Sequence, residues 1–96
     1  MISRFVSSAE EEFADAGSFY ESERLNLGDE FIEAIQTAVN LLEEIPEMGS
    51  PIDSSFRSVV IPRFPYRIIY KIADSEIVII AVAHQSRHPE YWRDRM

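Results

Sequence analysis

The residues best suited to anion binding or proton transfer lie in the second half of the chain. Arg67 sits in an apolar stretch, and Arg87 and Tyr91 follow soon after His84. An arginine fork binds phosphate or carboxylate, a histidine exchanges protons near neutral pH, and a tyrosine stacks or donates a hydrogen bond. Each also has a structural explanation. Arg67 would be solvated or ion-paired, and His84 would be a hydrogen-bonded residue at a strand end. Tyr91 and Trp92 would form a packing lid.

Most other site chemistry lacks its residues. The chain has no cysteine, which excludes disulfides, zinc–thiolate sites and cysteine nucleophiles. The three glycines are scattered singly, so there is no glycine-rich phosphate loop. His84 and His88 are four residues apart, but Pro89 and a strand end argue against a shared helical face. No serine lies in a nucleophile elbow. We therefore expect neither a metal nor a cofactor.

Charge divides the chain into two unequal halves. The formal net charge is −8, yet residues 1–55 hold 13 acids and two bases (−11), whereas residues 56–96 hold seven bases and four acids (+3). Nucleic-acid binding needs clustered Lys and Arg, which the overall charge disfavours. A basic half suits an acidic, partly disordered partner segment. The candidates for partner binding are Arg57, Arg63, Arg67, Lys71 and Arg87.

Length and hydropathy indicate one small globular domain. The chain of 96 residues, 46% hydrophobic, is predicted to form a single domain over residues 1–96. Its longest apolar run, residues 77–83, has seven residues, whereas a membrane span needs about 20. No apolar signal region follows the N-terminus. We expect a cytoplasmic protein without membrane contact.

The first half of the chain predicts a strand over 2–6 and two helices. Ser8–Glu11 matches the Ser-x-x-Glu capping box that opens a helix. Asn26 or Asp29 is expected to cap the second helix, and Pro46 to end it. Each helix has an apolar stripe at helical spacing, one made of Ala9, Phe13, Ala16 and Tyr20, the other of Phe31, Ile35, Ala38, Leu42 and Ile45.

After residue 55 the apolar period changes from helical to alternating. Strands are predicted over 56–61 and from Tyr66 onward, with Asp74-Ser75 as a two-residue turn. Residues 76–84 are apolar on both faces, which predicts a strand covered on both sides. Pro89 is placed to begin a final helical turn. In the strand that begins at Tyr66, alternation places Tyr66, Ile68, Tyr70 and Ile72 on one face and Arg67 on the other.

The order β-α-α-β-β-β defines the fold class. It predicts an α+β, two-layer domain in which a helical hairpin packs on one face of an antiparallel sheet. Arg67 then lies on the face opposite the helices. Strand-end residues of one sheet converge, so Arg67, His84 and Arg87 are expected to share a groove.

Several short segments together carry a family resemblance across essentially the whole chain. They are Ser8-Ala9-Glu10, Gly28-Asp29-Glu30-Phe31, Ile45-Pro46-Glu47-Met48-Gly49, Arg63-Phe64-Pro65-Tyr66-Arg67-Ile68-Ile69-Tyr70, Ala81-Val82-Ala83-His84 and Arg87-His88-Pro89-Glu90-Tyr91-Trp92. In this order they resemble the RelE/ParE superfamily of toxins from bacterial type II toxin–antitoxin systems, the plasmid-stabilisation type. The resemblance implies a helical hairpin on an antiparallel sheet. It also implies an antitoxin whose C-terminal segment wraps and neutralises the protein.

The resemblance leaves three functions open. ParE-like members inhibit DNA gyrase without chemistry of their own, and RelE-like members are ribosome-dependent endoribonucleases that cut mRNA. The acidic composition with a single lysine favours the ParE-like function, because an RNA-cutting protein gains affinity from phosphate contacts. The third is a non-toxic binding module. If the protein is a nuclease, the resemblance implies catalytic roles for Arg67, His84, Arg87 and Tyr91, with Trp92 as the alternative to Tyr91.

Overall fold

The helices and strands follow the predicted order, with one additional short strand. The computed structural model describes residues 1–95. A single 3₁₀ turn, Arg93–Arg95, closes the described chain. The other elements are β1 (Ile2–Phe5), α1 (Ser7–Glu23), α2 (Leu27–Glu44), β2 (Ser50–Pro51), β3 (Arg57–Val60), β4 (Tyr66–Ala73) and β5 (Glu76–His84).

The five strands form one mixed sheet in the order β1-β5-β4-β3-β2. The β2–β3, β3–β4 and β4–β5 pairs are antiparallel, whereas β1 runs parallel to β5. The two-layer α+β fold is therefore confirmed, and the parallel pair and β2 are what the sequence pattern did not show. The parallel pair joins residues about 70 positions apart, for example Ser3 and Ile77, so no local turn signal announces it.

A β-bulge in β5 changes which of its residues face the helices. Ile69 pairs with Ala81 and Tyr70 with Ile79, which leaves Ile80 as the extra residue. Before the bulge Ile79 belongs to the core under the helices, and after it Val82 does. A bulge of this kind interrupts the two-residue alternation of a strand. It sets the direction of the last residues of β5, from which the C-terminal segment (residues 85–95) departs.

The helices bury their predicted apolar stripes against one sheet face. That core includes Ala9, Ala16, Phe31, Ile35, Ala38 and Leu42 from the helices, and Ile68, Tyr70, Ile77, Ile79 and Val82 from the sheet. Two residues that were predicted to face the core are exposed instead. Ile45 is 54% exposed because α2 ends at Glu44 and Ile45 is its C-cap. Ile72 is 37% exposed near the end of β4, beside the turn to β5.

The helix starts also differ from the predicted caps. α1 begins at Ser7 without a side-chain cap, so the capping-box prediction for Ser8–Glu11 is wrong. The backbone N–H of Val6 donates to the Ile79 carbonyl, which ties the chain to β5 up to the helix start. At α2 the N-cap is Asn26, as predicted, but its own side chain makes no capping bond. Instead the Glu21 carboxylate accepts from the backbone N–H groups of Asn26 and Gly28.

Gly28 allows the closest approach of the two helices. A Cβ at this position would lie 2.5 Å from the Gly17 carbonyl oxygen. We expect Gly28→Ala to lower the free energy of unfolding by about 1–3 kcal/mol, because α1 and α2 must separate. Gly17→Ala is the matched control. Its Cβ would lie 3.5 Å from Ile32, an ordinary contact, and alanine favours a helix interior by about 1 kcal/mol. Urea unfolding should therefore give opposite signs, and equal destabilisation by both variants would contradict the close approach.

The second face of the sheet is covered by the C-terminal segment. Trp92 is buried there with Ile69, Val78, Ile80 and Ala83. This explains why residues 76–84 are apolar on both faces, as predicted. The predicted Asp74-Ser75 turn also forms, with both residues at positive φ (52° and 65°) despite the lack of glycine. Within residues 1–95, no helix combines the length and apolar character needed to cross a membrane.

Candidate functional site

The candidate residues converge where β4 begins and β5 ends. Tyr66 of β4 lies opposite His84 of β5, and Arg67 lies opposite Ala83. Tyr66 packs against the core under the helices, so the strand alternation places Arg67 on the other face. The chain leaves β5 after His84 and turns back over this same face. Strand pairing and the returning C-terminal segment therefore bring the two parts together.

One cavity of about 310 Å³ gathers the four residues for which the resemblance implied roles. We call it the arginine cavity. Trp92 is not among its lining residues and is only 1% exposed, so of the two adjacent aromatics it is Tyr91 that faces this space. The lining residues are Val60, Arg67, Ala83, His84, Gln85, Arg87, His88, Pro89 and Tyr91.

Tyr91 holds Arg87 in the arginine cavity and is itself held by a hydrogen bond. The Arg87 guanidinium lies 3.9 Å from the centre of the Tyr91 ring, and the Arg95 guanidinium lies 4.9 Å from it. The Tyr91 hydroxyl donates to the Glu12 carboxylate at 2.6 Å. Stacking on an aromatic ring holds a guanidinium in place while its N–H donors stay available. Arg87 is thus oriented without using its hydrogen-bonding edge.

Glu12 of α1 anchors the C-terminal segment. Its two carboxylate oxygens accept from Arg95 at 2.8 and 3.0 Å, a two-point ion pair. One oxygen also accepts from the backbone N–H of Val82, and Arg95 donates to the Ile80 carbonyl. These bonds satisfy the edge of β5 beyond the point where β1 ends. Glu12 and Arg95 side chains are only 16% and 15% exposed.

Sequence reasoning missed Glu12 and Arg95. Glu12 was one of many acids in an acidic half, and its partner is 83 residues away. One signal was available. Glu12 lies three residues after Ala9 and four before Ala16, which places a carboxylate within the buried stripe of α1. A charged residue in such a stripe is expected to have a partner from another element.

His84 presents one ring nitrogen to its surroundings. Its Nδ1 accepts from the backbone N–H of Ser86 at 2.9 Å, and its ring meets Tyr66 edge to face at 5.1 Å. In the neutral ring the proton is therefore on Nε2. His84 and Arg87 also line a second cavity of about 250 Å³ on the α1 side, which we call the α1 cavity; its acids are Glu12 and Asp15.

The five basic residues considered for partner binding have different surroundings. The Arg57 guanidinium donates to the backbone carbonyls of Glu47 and Gly49, and Arg63 pairs with Glu30. Within residues 1–95, Arg67, Lys71 and Arg87 make no salt bridge and no side-chain hydrogen bond. Only Arg67 and Arg87 of these three line the arginine cavity. The described residues contain no cluster of three His, Asp or Glu side chains able to hold a metal ion.

All four tyrosines have a raised pKa, and burial is the largest cause in each case. For Tyr91 the hydrogen bond to the Glu12 carboxylate raises the pKa further. The Tyr70 hydroxyl donates to the Pro46 carbonyl and accepts from the Gly49 N–H, which holds the loop after α2.

These shifts predict alkaline unfolding. A phenol with a raised folded pKa keeps its proton when the unfolded chain, near pH 10, releases it. The stability linked to the neutral phenols is therefore complete below pH 10 and lost as the pH rises further. We expect tyrosinate absorbance and circular dichroism to change together above pH 10. Tyrosinate formation well before the loss of structure would contradict the burial of these groups. The chain in concentrated guanidinium chloride, with ordinary tyrosine titration, is the reference.

The protein thus has a two-layer α+β fold, with a cavity lined by arginine and tyrosine side chains at one end of its sheet. Residues 4–89 match the model of the family described as ParE toxin of type II toxin-antitoxin system, parDE. The chain therefore belongs to the ParE toxin family, as the resemblance to the RelE/ParE superfamily predicted.

A solved structure supports the fold independently. A chain from the chromosomal ParDE TA system of P. aeruginosa superposes with a TM-score of 0.64 at 16% sequence identity. The match covers 88% of this chain and 95% of that chain. At this identity the likeness concerns the fold alone. No protein with a curated description matches the chain significantly.

Proposed function

We propose that this protein is a toxin that inhibits DNA gyrase in the cytoplasm and is neutralised by a cognate antitoxin. The observation that carries the proposal is the match of residues 4–89 to the ParE toxin family. On this proposal the protein acts by binding and performs no reaction of its own. The arginine cavity is then a binding surface, and Arg67 and Arg87 are its polar contacts.

Electrostatics supports gyrase, a protein, over RNA as the target. The net charge of −8 includes −11 in residues 1–55, which contain both helices. A surface of this sign repels a chain of phosphates, whose binding depends on many Lys and Arg contacts. Asp15 and Glu12 lie in the α1 cavity, directly beside His84 and Arg87. The positively charged surface formed by Arg67 and Arg87 is therefore narrow, with carboxylates next to it.

The arrangement of the arginine cavity supports one second candidate, the RelE-like ribonuclease. Arg67, His84, Arg87 and Tyr91 line the same space. Two guanidinium groups can stabilise a phosphate, and His84 Nε2 is the ring nitrogen available for proton transfer. In this candidate function those four residues are catalytic and the substrate is mRNA on the ribosome.

Induction in a bacterium that lacks any antitoxin distinguishes the candidates. Labelled thymidine and amino-acid incorporation are followed over the first minutes. We expect DNA synthesis to fall first and purified gyrase to lose supercoiling activity in the presence of the protein. An earlier fall of protein synthesis would support the ribonuclease instead. Accumulation of intact protein without either effect would indicate a non-toxic binding module. Co-expression of a cognate antitoxin should restore growth.

Substitution of Arg67 and Arg87 separates function from folding. We expect the double variant Arg67→Ala/Arg87→Ala to lose toxicity while its Tm stays close to that of the wild type. Neither guanidinium has a hydrogen-bonded partner within the described chain, and the stacking of Arg87 on Tyr91 contributes only about 0.5–1 kcal/mol. Arg4→Ala is the control, because it also removes a positive charge and lies on β1 in a surface pair with Glu76. A toxic double variant would contradict the proposed site.

A further inference from the structure

Within residues 1–95, Arg67 and Arg87 are the two arginines whose guanidinium groups neither pair with a carboxylate nor donate a hydrogen bond; Arg57 also has no salt bridge but donates to the carbonyls of Glu47 and Gly49. Within residues 1–95, five of the nine Lys and Arg residues pair with a carboxylate, namely Arg4, Arg24, Arg63, Arg93 and Arg95. Arg67 and Arg87 pair with none within residues 1–95, although the chain has 17 acids. Both line the arginine cavity. Their hydrogen-bonding edges are therefore available to an anion from outside the chain.

Arg67 lies on a paired strand, and Arg87 is held by stacking on a side chain that is itself hydrogen-bonded. Arg67 lies in β4 between paired strands, with Val60 of β3 on one side and Ala83 of β5 on the other. Arg87 stacks on Tyr91, which is fixed by its hydrogen bond to Glu12. The backbone of Arg67 and the side chain of Arg87 are therefore already ordered before an anion binds, which lowers the entropic cost of binding.

The rim of the cavity is suited to a peptide. Val60 is 65% exposed and, with Pro89, supplies an apolar border next to the two cations. β2 pairs only with Arg57 and Ser58, so β3 extends past it, and no strand of the described chain lies beside the outer edge at Val60. An extended segment can form main-chain hydrogen bonds along such an edge while one side chain enters an adjacent pocket.

The acids near the cavity limit the charge of the ligand. Asp15 and Glu12 line the α1 cavity, which shares His84 and Arg87 with the arginine cavity. A nucleic acid carries a phosphate at every residue, and a neighbouring phosphate would meet the Asp15 carboxylate, which forms no salt bridge within residues 1–95, whereas Glu12 is paired with Arg95. A peptide presents one carboxylate with uncharged neighbours. The surroundings thus favour a single carboxylate over a polyanion.

We propose that the arginine cavity binds a glutamate or aspartate side chain from an extended segment of the partner antitoxin, its carboxylate bridging Arg67 and Arg87 and its backbone running along the outer edge at Val60. This inference rests on the proposed antitoxin partner and specifies how that partner is recognised. Arginine forks bind carboxylates through paired, charge-assisted hydrogen bonds, which gives the site its specificity.

The test uses the ¹⁵N-labelled full chain and three probes. They are the capped peptide Ac-Ala-Val-Glu-Val-Ala-NH₂, the same peptide with Gln in place of Glu, and a short oligouridylate RNA. We expect the Glu peptide to shift the Nε–Hε resonances of Arg67 and Arg87, and the Gln peptide to leave them in place. Arg67→Gln or Arg87→Gln should weaken binding at least about tenfold, since hydrogen bonds to charged groups contribute on this scale. Arg4→Gln should bind as the wild type does.

Three results would overturn the inference. They are an unshifted pair of arginine resonances, equal shifts with the Gln peptide, and tighter binding of the RNA, which would assign the cavity to phosphate. A gyrase supercoiling assay on the same samples keeps the proposals apart. Peptide binding by a chain that leaves gyrase active contradicts the proposed target and keeps the carboxylate site. Gyrase inhibition without peptide binding removes the carboxylate site alone.

Discussion

The Glu12→Gln variant is expected to lose about 2–4 kcal/mol of folding free energy, a large effect for the exchange of a carboxylate for an amide of the same size. Removal of one member of a largely buried ion pair leaves the other charge without compensation. In this case the charge is the Arg95 guanidinium, which is 15% exposed and has its pKa raised chiefly by the hydrogen bond to Glu12. The amide of glutamine also provides one acceptor oxygen where Arg95, Tyr91 and Val82 now share two.

Urea unfolding measures the loss, and Trp92 reports where it occurs. Trp92 is the only tryptophan of the chain, and it lies buried in the C-terminal segment. Its fluorescence should shift to longer wavelength in Glu12→Gln before the helices unfold. Glu11→Gln is the control, since this neighbouring acid is exposed and its removal changes the net charge equally. A similar stability for Glu12→Gln and Glu11→Gln would contradict the anchoring role of Glu12.

The second large effect is expected at Trp92. Replacement of this buried side chain by alanine should lower the free energy of unfolding by about 3–5 kcal/mol, because a large cavity opens over the sheet. Trp92 lies 4.9 Å from Phe56, centre to centre, and its Nε1–H donates to the Pro89 carbonyl. It belongs to the cluster that covers Ile80 and Ala83 on the face opposite the helices.

Thermal unfolding of Trp92→Ala beside Trp92→Phe checks this prediction. Phenylalanine retains an aromatic ring against Phe56 and should recover much of the stability. A Tm of Trp92→Ala close to that of the wild type would show that the C-terminal segment contributes little to the fold. On the proposed function, toxicity provides a second readout. Arg87 and Tyr91 lie in the same segment as Trp92, so its release should also disperse the arginine cavity.

Glu12 and Trp92 hold the C-terminal segment in different ways. Glu12 binds Tyr91 and Arg95 at the edge of β5, whereas Trp92 packs on the sheet face opposite the helices. The candidate site is therefore supported by the same contacts that complete the fold. The two predictions distinguish these supports, since one removes a charge pair and the other removes apolar contact.

The second helix shows what periodicity predicts well. Phe31, Ile35, Ala38 and Leu42 are buried as their spacing indicated, and the helix ends before Pro46. The Asp74-Ser75 turn was also predicted from its position between two apolar strands. These features depend on neighbours within a few residues, so the local pattern determines them.

Longer-range pairing was beyond such reasoning. The pattern did not reveal that β1 pairs in parallel with β5, nor that a bulge at Ile80 changes which residues of β5 face the helices, because this run is apolar on both faces. The capping-box prediction for Ser8–Glu11 was wrong because the backbone N–H of Val6 donates to the Ile79 carbonyl and so fixes where the helix begins. In each case a contact between distant segments overrode a local preference.

The sequence by itself determined the element order, the two apolar helix stripes, the strand face that carries Arg67, and the superfamily. Local spacing is sufficient for the elements, the stripes and the strand face because side-chain periods of helices and strands are fixed by backbone geometry, whereas the superfamily was indicated by the resemblance of several segments. The sequence also predicted that Arg67 and Arg87 share a groove, but only the tertiary structure decided that neither has a carboxylate partner within residues 1–95 and that Glu12 holds Tyr91 and Arg95. Partners 79 and 83 residues apart meet through the packing of the whole sheet, which no local pattern encodes.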